Sequence, residues 1–172
     1  MTLHSADRND STAGKRAVGD DAGGRRVFMS LGSNMGDRRT HLRQGVEMLP
    51  GVVAVSPLYE TDPVGGPSQE AFLNVAVELR TDLEPTRLLG LCHRIESAAE
   101  RVREQRWGPR TLDVDIIWME GIELDTDRLT IPHPRWTQRR FVLAPMRDLA
   151  PDLVSESDVR FGEGTVQRLG EL

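Results

Sequence analysis

From Phe72 to Leu79 the chain alternates without a break. Leu73, Val75, Val77 and Leu79 fall on one side, and Phe72, Asn74, Ala76 and Glu78 on the other. Period-two alternation is the signature of a strand with one side against an apolar core. This stretch constrains the fold most, because the rest must supply a sheet for it and a cover for its Leu/Val side. Val27 to Leu31 is a short apolar strand, and Gly32-Ser33-Asn34-Met35-Gly36-Asp37 breaks it. Asp37 suits a helix N-cap ahead of Leu42, Val46 and Leu49 at helical spacing, and Pro50-Gly51 stops that helix. Val52 to Tyr59 is rich in β-formers, with Pro57 marking an edge or a bulge. Thr61 to Gln69 holds two prolines and two glycines and reads as a loop. Pro85 opens a second helix, whose apolar stripe is Leu88, Leu89, Cys92, Ile95, Ala99 and Val102, and Trp107-Gly108-Pro109 ends it. Thr111 to Trp118 is the fourth strand, with Leu112, Val114 and Ile116 on one side and Asp113, Asp115 and Ile117 on the other.

The order strand, helix, strand, strand, helix, strand predicts an α+β, ferredoxin-like βαββαβ antiparallel sheet with both helices on one face. A single domain over residues 25–172 is expected. Its C-terminal extension holds short elements around Leu129-Thr130-Ile131 and a helix near Phe141 to Leu149. The helix-free face, or the loops above it, is left for ligands, and Asn74, Asp113 and Asp115 project to that side. Residues 1–24 carry few large apolar side chains and are expected to form a disordered extension.

Composition narrows the function classes. The 172 residues suit one domain with a core, yet no apolar run approaches the roughly 20 residues of a membrane span. The polar start lacks a signal-peptide core, so a cytoplasmic protein is expected. Cys92 is the only cysteine, which excludes an internal disulfide and a zinc cluster. A net charge of −5 argues against nucleic-acid binding. Against that acidic background Arg94, Arg101, Arg103, Arg106 and Arg110 cluster, and Lys15 is the only lysine. Arginine forks match phosphate oxygens in pairs.

Asp113 and Asp115, two apart on a strand, share a face with Cα atoms roughly 6.5 Å apart. Carboxylates that close repel unless a cation sits between them, and hard oxygen ligands beside phosphates favour magnesium. Alone, such a pair is more often a solvated strand face. The nearby arginines shift the balance toward a metal-triphosphate site, because they supply positive groups around phosphate oxygens. No G-x-x-x-x-G-K-[ST] loop is present. Trp107 and Phe141 could be core, or could sandwich a flat heterocycle whose edge an amide such as Asn74 reads. Among the histidines, His93 and His133 are the better candidates, though position alone singles out neither.

Across Arg101-Val102-Arg103 and Arg106-Trp107-Gly108-Pro109-Arg110-Thr111-Leu112-Asp113-Val114-Asp115-Ile116 the chain resembles the 6-hydroxymethyl-7,8-dihydropterin pyrophosphokinase family. The likeness runs from about Val27 to about Pro151. It includes Leu31-Gly32-Ser33-Asn34, Tyr59-Glu60-Thr61, Phe72-Leu73-Asn74, Arg94-Ile95-Glu96 and Leu129-Thr130-Ile131-Pro132-His133. The resemblance implies ATP as co-substrate and donor, two Mg2+ ions held by Asp113 and Asp115, and a reduced pterin as acceptor. It implies catalytic roles for Arg101, Arg110, Asp113 and Asp115. Thr61, Val64, Phe72, Asn74, Trp107 and Phe141 fall where the family binds pterin. His93, Glu96, Arg101, Arg103, Arg110, Ile116, Arg128, Thr130, His133 and Arg139 fall where it binds ATP. Phe72 replaces a common tyrosine, and Glu104 stands where a basic residue is frequent. A monomer with no nucleic-acid or membrane partner is expected. A nucleotidyl transferase would share the acids and arginines but not the aromatic and amide set. A non-catalytic ferredoxin-like module that binds RNA or a small ligand would need exposed aromatics on the sheet and a basic surface, and the net charge of −5 and the aspartate pair speak against it.

The composition of residues 1–24 cannot bury enough apolar surface to order itself. Deleting them should leave turnover and melting temperature nearly unchanged, checked by a steady-state assay and a thermal melt; a large fall in either refutes the assignment.

Overall fold

The computed structural model describes residues 23–63, 69–99 and 110–172. Its axis is β1 (Arg25–Ser33), which runs antiparallel to β4 (Phe72–Thr81) on one side and to β5 (Asp113–Met119) on the other. β2 (Val52–Val55) and β3 (Leu58–Thr61) both pair with β4. The sheet order β5-β1-β4-β3 is completed by β8 (Val166–Gly170), which adds to the edge of β3. α1 (Arg38–Glu47) and α2 (Pro85–Ala98) fill the two crossovers, so the expected ferredoxin-like βαββαβ order is present. β6 (Leu124–Asp125) and β7 (Thr130–Ile131) form a small ribbon, followed by a 3-10 turn at Trp136–Gln138, α3 (Arg140–Leu149) and α4 (Glu156–Phe161).

Local chemistry explains the boundaries. The Asp37 side chain accepts from the Thr40 N–H at 3.1 Å and caps α1. Pro57 cannot donate to the ladder, and β2 and β3 are separated there. Ser56 repairs the gap: its N–H donates to the Ala76 carbonyl and its Oγ accepts from the Ala76 N–H at 2.9 Å. β1 runs on through Gly32 and Ser33, which were expected to break it. α2 stops at Ala98, short of the Val102 to which its apolar stripe was extended; Val102 lies outside the described residues.

Two cores form, one on each side of the sheet. On the helix side Met29, Leu31, Val75, Val77 and Val114 pack with Leu42, Leu88, Cys92 and Ile95. Burial pushes the Cys92 thiol up to about 12, so it stays a small buried apolar group. The opposite face was expected to be helix-free. Instead α3 lies on it, and Val142, Leu143 and Met146 pack with Phe28, Ala76 and Ile117. A bulge widens this second core. Phe28 faces Trp118 and Met29 faces Ile116, so Ile117 is an extra residue, and after it Trp118 joins Ile117 on the α3 side while Met119 returns to the helix side. Arg26 closes that side: Nε bonds Glu78 at 2.7 Å, Nη1 bonds Asp152 at 2.8 Å, and the guanidinium sits 4.7 Å over the Phe28 ring.

Phe28 has no exposed surface and is the largest side chain under α3. Phe28→Ala should cost about 3–5 kcal/mol, measured by chemical denaturation; a loss below 1 kcal/mol would mean that α3 does not depend on this contact.

Candidate active site

The register of β1 builds the site. Gly32 lies opposite Asn74 on β4 and opposite Asp113 on β5, and Ser30 lies opposite Ala76 and Asp115. Residues in one row across a sheet share a face. Asn74 and the two aspartates therefore stand on the same side, two strands apart, beyond the rim of the second core. Gly32 is needed between them. A Cβ there would lie 2.7 Å from Asn74 Oδ1 and 3.8 Å from the Phe72 ring. Asn74 is 3 % exposed, and its Nδ2 donates to Thr61 Oγ1 at 2.8 Å. Thr61 pairs in register with Phe72, so Thr61, Phe72 and Asn74 form one group.

The acidic end carries its own cations. Arg110 makes an ion pair with Asp113, and both side chains stay partly exposed. Arg139 lies within electrostatic reach of Asp115 and Asp113, which favour its charge, and of Arg135 and Arg110, which oppose it. Burial, followed by Arg135, lowers the Arg139 guanidinium below its usual range. His133 hangs on the outer edge of β5, its N–H donating to the Ile117 carbonyl at 2.8 Å. Burial first, then Arg139 and Arg135, hold the His133 imidazole below 6.5, so the ring is neutral at pH 7. Its Nδ1 accepts from the Arg135 N–H at 3.2 Å, which leaves the proton on Nε2.

The remaining candidates are more dispersed. Phe141 stands in the first turn of α3, half-buried, with the Arg139 guanidinium 5.4 Å over its ring. Glu96 is buried on α2, and its Oε1 accepts from the Val114 N–H at 3.1 Å, between the two aspartates. Ile116 lies in the helix-side core, on the side of β5 away from the aspartates. His93 is exposed on α2, Arg128 is exposed before β7, and Thr130 donates to Asp125 at 3.0 Å. Val64, Arg101, Arg103 and Trp107 lie outside the described residues.

Asp113 and Asp115 are suited to a hard cation. Among the described residues no cluster of three or more His, Cys, Asp or Glu could hold a metal by protein ligands alone. Two carboxylates on one strand face suit an ion that keeps water and takes phosphate oxygens. They do not suit a closed tetrahedral cage.

By its place between a strand and a helix, Gly32-Ser33-Asn34 could approach a ligand closely, though such a segment is more often an ordinary turn; Arg135, which acts electrostatically on Arg139 and His133, was passed over. Gly32 carries a signal, since a glycine inside an apolar strand marks a close approach. Arg135 belongs to the run Arg135-Trp136-Thr137-Gln138-Arg139-Arg140, and no periodicity tells that Arg139 is partly buried while Arg135 stays exposed.

Residues 28–151 match the family model described as 7,8-dihydro-6-hydroxymethylpterin-pyrophosphokinase. A 2-amino-4-hydroxy-6-hydroxymethyldihydropteridine pyrophosphokinase of Bacillus subtilis is 47% identical over 136 residues, which cover 76% of this chain and 81% of that one. The protein of the same name from Methylorubrum extorquens is 47% identical over 134 residues, covering 75% and 85%. Among solved structures, Plasmodium falciparum HPPK-DHPS superposes with a TM-score of 0.55 at 16% identity, over 74% of this chain. The chain spans 40% of that longer protein, and a likeness at this identity speaks for the fold alone. Residues 28–151 and the two bacterial relatives together establish that the chain belongs to the 7,8-dihydro-6-hydroxymethylpterin-pyrophosphokinase family.

Proposed function

We infer that this chain transfers the diphosphate of ATP to the hydroxymethyl group of 6-hydroxymethyl-7,8-dihydropterin, in folate biosynthesis, releasing AMP and the pterin diphosphate. One observation carries the reading: the rows Asn74–Gly32–Asp113 and Ala76–Ser30–Asp115, which put a ring-reading amide and an acid pair on one face. The Asn74 amide reads the edge of the pterin beside Thr61, with the rings of Phe72 and Phe141 packing on the heterocycle. Val64 and Trp107 join them by sequence position. ATP lies over Asp113 and Asp115, with Arg110, Arg139 and the neutral His133 around its phosphates, and Arg128 and Thr130 further along. Arg101 and Arg103 belong to the same cationic set by sequence position, His93 and Glu96 stand on the α2 side, and Ile116 supports the strand from the core beneath.

The pterin hydroxyl attacks the β-phosphorus in line, the bond from that phosphorus to the oxygen bridging it to the α-phosphate breaks, and AMP leaves. Holding the two substrates in one frame supplies much of the barrier reduction. Arg110 and Arg139 offset negative charge that grows on the leaving oxygen. Asp113 and Asp115 would hold two magnesium ions, which when bound neutralise phosphate charge and lower the pKa of the attacking hydroxyl. All these side chains come from one chain, so a monomer suffices. A cytoplasmic ATP pool supplies the donor.

The direct test is incubation with ATP, magnesium and the reduced pterin. AMP and pterin diphosphate should appear in equal amounts. ADP would show transfer of a single phosphoryl group, and free pyrophosphate would show attack at the α-phosphorus; either overturns the reading. Asp113→Asn and Asp115→Asn should each lower turnover by at least about a hundredfold. The double variant should lose far less than the product of the two, since groups that act as a unit are not additive. Near-normal turnover of both singles at saturating magnesium would place the metal site elsewhere.

Gly32→Ala probes the pterin side. The added methyl must displace the Asn74 amide, because the atom it meets is 2.7 Å away. KM for the pterin should rise roughly tenfold through the lost hydrogen bonds, with KM for ATP within twofold of the wild type. An unchanged pterin KM removes Asn74 from the pterin site.

A further inference from the structure

We propose that Asn34 is a positioning residue that locks the phosphate side and the pterin side of the site into one frame. The proposal deepens the assignment above and rests on it. Asn34 follows β1 directly and is 3 % exposed. Both halves of its amide are used. Oδ1 accepts from the Arg110 N–H at 2.7 Å, and Nδ2 donates to Gln69 Oε1 at 3.1 Å and to the Glu70 carbonyl at 3.0 Å. Its backbone N–H donates to the Arg110 carbonyl at 3.0 Å.

The Asn34 side-chain oxygen stands in for the backbone carbonyl that a strand partner would offer to the Arg110 N–H. Past the end of the β1–β5 ladder at Gly32 and Asp113, the Asn34 N–H and Oδ1 engage both backbone groups of Arg110, and so fix the backbone from which the Arg110 guanidinium reaches Asp113. The other half of the amide holds residues 69–70, which lead into Phe72 and Asn74. One planar group therefore sets the distance between the arginine and the ring-reading strand. The amide is engaged with protein partners, so its effect on the reaction runs through Arg110 and Asn74. Arg38 tethers the second segment independently, donating to the Ala71 carbonyl at 2.7 Å and to Glu60 at 3.0 Å. Loss of Asn34 would thus loosen residues 69–70 without releasing the whole segment.

The two halves of the amide can be separated by substitution. Asn34→Asp keeps the oxygen that accepts from Arg110 but turns a second oxygen toward the Glu70 carbonyl, which has no proton to offer. KM for the pterin should rise roughly tenfold, with turnover and KM for ATP within twofold of the wild type. Asn34→Ala removes both links and should raise the pterin KM and also lower turnover roughly tenfold. A purely structural role predicts a lower melting temperature with both constants unchanged well below the melt; that result overturns the proposal, as does an Asp variant that changes turnover and pterin KM equally. If neither variant folds, Gln69→Ala removes one contact alone. It should raise the pterin KM a few-fold and leave ATP untouched, and no change in the pterin KM counts against the proposal. Asp113→Asn serves as the control: if it loses turnover while Asn34→Asp changes nothing, the positioning role fails and the site assignment stands, whereas if it retains turnover the site assignment itself fails.

Discussion

β1 is hydrogen-bonded along both edges, to β4 and to β5, and the chemistry of the molecule depends on the register of those two ladders. A slip of one residue on either side would turn every side chain of the partner strand to the other face. Asn74 would enter the helix-side core, or Asp113 and Asp115 would, and neither an amide nor an acid pair is stable there without partners. The apolar alternation of β1 and β4 against α1 and α2 therefore fixes the polar rows by exclusion. Hydrophobic burial on one face does the positioning that catalysis needs on the other.

Placing two carboxylates in adjacent rows has an electrostatic cost, and the surroundings offset it. Arg110 pairs with Asp113, and Arg139 stands within reach of both acids. The cations also act on one another: Arg135 disfavours the charge on Arg139, and burial, then both arginines, lower the His133 imidazole below its usual range. The result is a cluster of acids and arginines gathered at one end of the sheet. Such a cluster suits a ligand that brings phosphate charge together with its own metal ions.

Strand and helix order were legible in the sequence because each core-facing segment repeats cleanly. Leu73, Val75, Val77 and Leu79 share the helix-side core as the alternation predicts, and the acids of β5 face the other way. What was not legible was tertiary. The stripe on Val142, Leu143 and Met146 announces a helix but not the surface it covers, so the second core beneath α3 was missed. The bulge at Ile117 is invisible in a run where Ile116 and Ile117 are both apolar. Residue type and strand phase put Asn74, Asp113 and Asp115 on one face, as the register has them. The role of Asn34 was not legible, because its importance lies in contacts to Gln69, Glu70 and Arg110, which the chain brings together only on folding.

β8 adds a consequence for how molecules behave in a crowded solution. Without it the short β3 would present its outer backbone groups to any passing chain. β8 takes that place, and it is itself only Val166–Gly170, with Gln167 and Arg168 exposed along it. At the opposite border Glu96 takes the Val114 N–H, and the His133 N–H takes the Ile117 carbonyl. Short, charged or already-bonded borders are poor templates for strand addition between molecules. The same Glu96 and His133 that flank the acidic site thus help keep neighbouring copies from zipping together into aggregates.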